Sequence, residues 1–376
     1  MKIGIDLNYF GNGKSGLDKY TYELLKYISL VDEKNTYYLY TNNELPSEFK
    51  NKKNFIKRPI SKHISYLFLF SLKKQLIKDK IDLFYGPVHL LPRKSKKYKM
   101  VVTYHDLILI KRRETTNVGS FRYYILKHLF KRACKQADLI LVNSKSTLND
   151  VVECFHINPN KIKLIYNGYD NNSNSNFKED NTVFKKHNID APYILSVGTI
   201  EPRKNILNSL KAFELYKKEA KSNIKYILIG PLGWKYEPIL KLLNESEYKN
   251  DILYLNYVSN EEKNALYKNA LYTSFISLYE GFGYPVIESL SYGTPVLTTN
   301  ISSLPEVGGN VCYYVNNPQD VNEIKEKMKI IIEDINNKKI DKQKLYDQAN
   351  KFKSTDTNSL VYSALIDLIS KEKKDS

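Results

Sequence analysis

Short apolar runs separated by amphipathic stretches recur along the whole chain. Residues 2–7 read as a first strand, and residues 17–30, with apolar positions at helical spacing, as the helix that follows. Residues 37–40, 81–85, 100–104, 139–142 and 162–165 are further predicted strands, and Ser144 is placed to cap a helix over 145–155. Strands alternating with helical segments imply a parallel sheet joined by crossover helices. A polar, aperiodic stretch over 170–181 interrupts the series and reads as a linker or exposed loop. A second series follows it. Its predicted strands are 193–197, 225–229, 252–255, 273–278, 295–298 and 312–315, and its helices are 323–335 and 345–352, with a last helix over 359–370.

A chain of 376 residues is too long for one ordinary α/β core, so the two series predict two domains. The apolar content of 42% fits a soluble globular protein, and no apolar run of about 18 residues announces a membrane span. The opening MKIGIDLNYF enters a strand at once and lacks a signal-peptide pattern. Cys134, Cys154 and Cys312 are odd in number and have no CxxC spacing, which fits small core residues in a reducing cytoplasm. The six histidines form no zinc pattern.

Charge adds a second asymmetry. Residues 1–180 hold 32 Lys/Arg and 17 Asp/Glu, a balance of +15, whereas 181–376 hold 26 and 24, a balance of +2. A basic first half attracts an anionic surface or substrate. Its basic runs are Arg93-Lys94-Ser95-Lys96-Lys97, Lys111-Arg112-Arg113 and Lys131-Arg132. Residues 62–74 flank an apolar stretch with lysines, a pattern shared by a helix on an anionic bilayer and a partly buried helix with a solvated basic edge. No nucleic-acid-binding motif accompanies the charge.

Ligands of parallel α/β sheets bind at the carboxyl ends of strands, and the chemically loaded segments fall there. In Ser277-Leu-Tyr-Glu280-Gly281-Phe282-Gly283-Tyr284-Pro285-Val-Ile-Glu288, Pro285 suits the first turn of a helix running to about Tyr292. Glu280 and Gly281–Gly283 would then precede that helix, whose N-terminus suits a phosphate, with Glu288 in its first turn reaching the same mouth. Glutamate is also favourable near any helix N-terminus, so the pair alone proves nothing. Gly198-Thr-Ile-Glu201-Pro-Arg203-Lys204-Asn205 follows a strand and precedes a helix. Two cations there oppose the helix dipole but would meet a diphosphate, Arg203 as a planar fork and Lys204 as a compact charge. His105-Asp106 ends the strand over 100–104; a neutral imidazole can donate to a sugar hydroxyl, with the carboxylate orienting it. Gly11-Asn-Gly13-Lys-Ser-Gly16 permits close backbone approach to a phosphate. No acid ends the second strand to hold a ribose, since residues 37–40 lead to Thr41, so the dinucleotide-dehydrogenase reading falls.

Residues 277–309, SLYEGFGYPVIESLSYGTPVLTTNISSLPEVGG, closely resemble the nucleotide-sugar signature of retaining glycosyltransferases of family 4. Gly198–Asn205 resembles the Gly-x-x-x-x-Arg-Lys-Asn motif of the same family, in the form found in bacterial mannosyltransferases using GDP-mannose. Thr103-Tyr-His105-Asp106, Tyr254-Leu-Asn256-Tyr257-Val258-Ser259-Asn-Glu261-Glu262-Lys263 and Asn167-Gly168-Tyr-Asp170 resemble further family segments, as does Ser302-Ser303-Leu-Pro-Glu306. Two departures stand out: Asp18 replaces a glycine of the first loop, and Asn256 replaces the usual glycine before Tyr257.

The resemblance implies a GT-B fold, two Rossmann-like domains with parallel sheets facing an interdomain cleft. The expected division is a first, acceptor-side domain over 1–170, a linker over 171–190, a nucleotide-sugar domain over 191–354, and a helix over 355–376 packing back on the first domain. It also implies retaining transfer of a hexosyl group, α-mannosyl from GDP-mannose by closest likeness, to a glycan or polyprenyl-diphosphate-linked acceptor in bacterial surface polysaccharide synthesis. Glu280, His105, Arg203 and Lys204 carry the chemistry on this expectation. Glu288, Gly281, Phe282, Gly283, Tyr284, Gly198, Val258, Gly13 and Gly16 bind the donor. No cofactor or metal is expected, because the chain has no Asp-x-Asp triad and the two cations take the ion's place. Retention without an enzymic nucleophile implies front-face attack. The expected location is cytoplasmic, peripheral on the inner face of the plasma membrane, with an anionic membrane surface and no nucleic acid as partner. A UDP-hexose donor in the same fold is one alternative; a basic membrane- or nucleic-acid-binding protein on a degenerate scaffold is another.

Overall fold

The computed structural model describes residues 1–10, 16–60, 68–169 and 182–370. They form two compact units, one of Met1–Lys111, Val118–Gly168 and Phe352–Ser376, the other of Arg112–Asn117 and Tyr169–Lys351. The expected linker lies largely outside the described residues; its last part holds a short helix, Thr182–Lys186.

The first unit is a seven-stranded, all-parallel sheet. Its strands are β1 (Lys2–Asp6), β2 (Thr36–Tyr40), β3 (Phe55–Arg58), β4 (Leu83–Gly86), β5 (Lys99–Tyr104), β6 (Leu139–Val142) and β7 (Ile162–Leu164), in the order β3-β2-β1-β4-β5-β6-β7. Helices cover both faces, so central strands are near-continuous apolar runs. One face packs Leu24, Leu25 and Ile28 of the helix Gly16–Val31 together with Val361, Leu365 and Ile369 of the last helix, Ser354–Ser370. Asp32 ties these helices together, accepting from the hydroxyls of Tyr37 at 2.5 Å and Tyr362 at 3.1 Å and from the Asn35 amide at 2.7 Å. Burial alone would raise its pKa, but the hydrogen bonds from Tyr37, Asn35 and the Lys34 backbone lower it. Gly168 is needed where the chain passes the last helix, because a Cβ there would lie 2.2 Å from Thr357 Oγ1.

The second unit is a six-stranded, all-parallel sheet. It contains β8 (Tyr193–Val197), β9 (Lys225–Ile229), β10 (Ile252–Tyr254), β11 (Tyr272–Phe275), β12 (Val296–Thr299) and β13 (Tyr313–Val315), ordered β10-β9-β8-β11-β12-β13. The two parallel α/β sheets make this a GT-B fold. β11 ends at Phe275, earlier than the predicted Leu278, and the chain then turns toward the Arg203 carbonyl, which accepts from Leu278 N at 2.8 Å. Among the described residues, no helix is long and apolar enough to cross a membrane.

Candidate functional site

In the second sheet the strand order reverses between β8 and β11. The crevice at their carboxyl ends is the expected ligand site of a doubly wound sheet. β8 delivers Gly198, Arg203 and Lys204 to this point, and β11 delivers Glu280. Gly198 has φ +148°, and a Cβ there would lie 3.4 Å from Lys204 Cε; its absence lets the lysine lie along the strand end. Pro202–Lys204 form a single 3₁₀ turn, and Asn205, at φ 54°, redirects the chain into the helix Ile206–Ala220.

The cations converge on Glu280. Its Oε2 lies 2.6 Å from Arg203 Nη1, and its Oε1 accepts from Lys204 Nζ at 2.7 Å. Arg203 also meets Glu201 Oε1 through Nη2 at 2.6 Å and Nε at 2.9 Å. The Lys204 ammonium sits over the Phe275 ring, 4.5 Å from its centroid. Burial pushes the Glu280 carboxyl up, but Arg203 and Lys204 outweigh it and hold the group at about 2. Burial lowers the Lys204 pKa, with Glu280 opposing. The result is a desolvated cluster in which two cations are balanced by two acids.

The loop after Glu280 is fixed by the turn that follows β12. Glu280 N donates to Ser302 Oγ at 2.9 Å, and Ser303 Oγ donates to the carbonyls of Glu280 and Phe282, each at 3.0 Å. Gly283 caps the helix Tyr284–Ser291 at φ +107°, with Pro285 in its first turn; a Cβ on Gly283 would lie 2.8 Å from Leu304 Cδ2. Phe282 is buried and meets the Tyr284 ring edge-on at 5.4 Å. Glu280 and Gly281–Gly283 therefore do precede the helix, as the proline position predicts.

Glu288 lies beyond the first turn, contrary to the sequence reading, because the helix begins at Tyr284. Its buried carboxylate accepts from Tyr267 Oη at 3.0 Å and from Lys263 Nζ at 3.3 Å, both on the helix Asn260–Asn269. Tyr169 and Tyr292 lie near enough that, after burial, the charge of Glu288 is the next cause raising their phenol pKa values. Val258 is buried against Ala265, Leu266 and Tyr267, just ahead of the capping box formed by Ser259 and Glu262. Asn256, at φ 45°, explains the glycine it replaces: the turn needs left-handed backbone, which asparagine tolerates. Glu201, Ser302, Ser303, Lys263 and Tyr267 were not singled out from sequence. The first three and Lys263 lie within segments that resemble the family and could have been; Tyr267, one turn further along the helix Asn260–Asn269, had no local signal.

His105 and Gly16 belong to the first unit; Gly13 lies outside the described residues. Gly16 opens the helix Gly16–Val31. His105 follows β5 and is buried. Its Nε2 lies 2.8 Å from the Pro87 carbonyl, an acceptor only, so Nε2 carries the proton. Burial, then His89, lower its pKa to about 4, so the ring is neutral at neutral pH. Asp106 does not serve as the orienting hydrogen-bond partner expected from sequence: its Oδ1 accepts from Ile108 N at 3.0 Å, and the Pro87 carbonyl holds the ring. Tyr20 packs edge-on against the imidazole at 4.8 Å, and its hydroxyl joins those of Tyr85 and Thr103. Among the described residues, no group of three or more His, Cys, Asp or Glu is arranged to hold a metal ion.

The fold is shared with WaaG, a glycosyltransferase involved in lipopolysaccharide biosynthesis, at a TM-score of 0.76 and 14% identity over 96% of this chain and 99% of that one. Residues 15–173 match the family described as Glycosyltransferase Family 4, and residues 178–351 match Glycosyl transferases group 1. The chain belongs to glycosyltransferase family 4, a family of retaining hexosyltransferases. It is 32% identical over 247 residues to O-antigen chain mannosyltransferase B of Escherichia coli, covering 64% of this chain and 63% of that protein. It is 30% identical over 186 residues to a diphospho-undecaprenol 4-α-N-acetylgalactosaminyltransferase of Campylobacter jejuni, covering 49% and 47% respectively. These matches thus span less than two thirds of the relatives' own length.

Proposed function

We propose that this chain is a retaining hexosyltransferase that moves an α-mannosyl group from GDP-mannose to a glycan or polyprenyl-diphosphate-linked acceptor in bacterial surface polysaccharide synthesis. The observation that carries the reading is the Arg203–Glu280–Lys204 cluster at the switch point of the second sheet. A diphosphate entering there meets two cations already gathered in a desolvated place, where fixed charge stabilises a developing anion most. Arg203 and Lys204 take the leaving diphosphate, Glu280 the donor sugar, and Glu288 the ribose hydroxyls. Gly198, Gly281, Phe282, Gly283 and Tyr284 shape the diphosphate and sugar subsites, and backbone near Val258 the base subsite. Gly13, Gly16 and His105 of the first unit are assigned to the donor as well, His105 to its sugar. The donor's diphosphate needs no metal on this account. The mannosyl assignment draws on the likeness to the E. coli O-antigen enzyme. The enzyme works peripherally at the inner face of the plasma membrane, where a lipid-linked acceptor is presented.

A second reading keeps the site and changes the donor to a UDP-linked hexose or N-acetylhexosamine. The likeness to the Campylobacter enzyme favours it. The test is transfer from labelled GDP-mannose, UDP-glucose and UDP-N-acetylgalactosamine to a polyprenyl-diphosphate-linked glycan, with the product anomer read by NMR. An α-mannosyl product supports the first reading, an α-linked product from a uridine donor supports the second, and an inverted anomer sinks both.

A further inference from the structure

The helix Ser120–Gln136 carries five Lys/Arg and no acid. It packs inward through Tyr123, Leu129, Ala133 and Cys134. Its opposite stripe, at helical spacing, presents Phe121 and Tyr124 in the first turns and Lys131, Arg132 and Lys135 in the last ones. Phe121 is 82% exposed and Tyr124 64% exposed. Packing of the unit gives no reason for two neighbouring exposed rings on a helix that already has a buried face.

The basic end of the stripe is enlarged from elsewhere in the chain. Lys94 N donates to Gln136 Oε1 at 3.1 Å, and Lys94 Nζ pairs with Asp138 at 2.9 Å. Lys73 Nζ donates to the Lys94 carbonyl at 3.0 Å, and Arg132 to the Leu91 carbonyl at 3.1 Å. Lys161 Nζ caps the helix, donating to the carbonyls of Cys134 and Lys135 at 3.1 and 2.9 Å. The runs Arg93–Lys97 and Lys131-Arg132, separate in sequence, are therefore one patch. Its like charges repel: burial first, then Arg93, lower the pKa of Arg132, and burial first, then Lys94, lower that of Lys161. A polyanion would relieve this repulsion but would leave the aromatic end idle. A bilayer with anionic headgroups uses both ends, rings in the interfacial layer and ammonium groups at the lipid phosphates.

We propose that this face docks the chain on an anionic lipid bilayer through Phe121 and Tyr124 together with Lys131 and Lys135. The proposal rests on the reading that the acceptor is membrane-borne. The experiment is co-sedimentation of the full chain with phosphatidylcholine vesicles, with and without phosphatidylglycerol, at low and high salt. Wild type is expected to prefer anionic vesicles. Lys131→Glu with Lys135→Glu should weaken binding about tenfold at low salt, where charge is least screened. Phe121→Ser with Tyr124→Ser should remove the part of the binding that survives high salt. Thermal stabilisation by nucleotide sugar should be unchanged in both variants, which shows that they are folded. If wild type prefers anionic vesicles and both variants match it, this face is wrong while the membrane reading stands. If wild type shows no preference, both fall. Binding lost with the lysines but untouched by the aromatic pair shows docking by headgroup charge alone and overturns the proposal that Phe121 and Tyr124 enter the bilayer.

Discussion

The Arg203 guanidinium lies 2.6 Å from Glu280 and 2.6 Å from Glu201, so one cation is shared between two buried carboxylates. Replacing Arg203 by alanine takes this cation from both acids and leaves Lys204 paired with Glu280. Breaking a buried pair in this way costs about 3–5 kcal/mol, readable as a lower urea midpoint. On the proposed mechanism it also removes a charge that faces the leaving diphosphate, so kcat should fall about 10²–10³-fold. Arg203→Lys keeps the charge but not the fork and should fall between. Activity and midpoint both unchanged in Arg203→Ala would refute the site.

Asp6 ends β1 as a buried carboxyl that accepts from Asn8 N at 3.0 Å; burial raises its pKa to about 6, against that hydrogen bond. An acid with a raised folded pKa keeps its proton in the native state while the unfolded chain has lost it. Stability therefore falls as pH rises from about 4 to 6, and the full cost of about 3 kcal/mol applies above that window. Asp6→Asn should be more stable than wild type at pH 8 and indistinguishable from it at pH 4, measured by urea unfolding. Equal stability at both pH values would show that Asp6 is solvated.

His105 should remain neutral through the physiological range, because burial and His89 lower its pKa to about 4. The Pro87 carbonyl fixes the Nε2–H tautomer, leaving Nδ1 as an acceptor toward any ligand. Nitrogen-15 NMR of the labelled protein at pH 7 should show a pyrrole-type Nε2 and a pyridine-type Nδ1. The opposite tautomer, or an imidazolium, would contradict this geometry.

Gly283→Ala should destabilise by about 1–3 kcal/mol, since alanine is strained at φ +107°. Leu304→Ala would relieve the contact at 2.8 Å but not the backbone strain. The double variant should therefore recover only part of the loss on thermal melting; full recovery would mean that contact alone sets the cost.

Most of the parallel-sheet frame was legible because strands buried on both faces are short unbroken apolar runs, as at residues 139–142. β3 was not, since Phe-Ile-Lys-Arg at an edge mixes apolar and charged residues. The helix Ser120–Gln136 was also missed: Phe121 and Tyr124 point outward and blur its apolar stripe. At the site, Arg203, Lys204 and Glu280 were legible because each sits in a dense local motif. The grip of Tyr267 and Lys263 on Glu288 was not, because it depends on how two helices pack.

The central claim is that the Arg203–Lys204–Glu280 cluster belongs to a nucleotide-sugar site. The most direct measurement is a thermal-shift titration of wild type and Arg203→Ala with GDP, GDP-mannose, UDP, UDP-glucose and ADP, in the presence of EDTA. A ligand that binds only the folded state raises Tm by mass action. The account predicts that GDP and GDP-mannose stabilise wild type, that the other nucleotides do not, and that the shift is lost in Arg203→Ala. A uridine response would keep the site and replace the donor; no response to any nucleotide would contradict the claim itself.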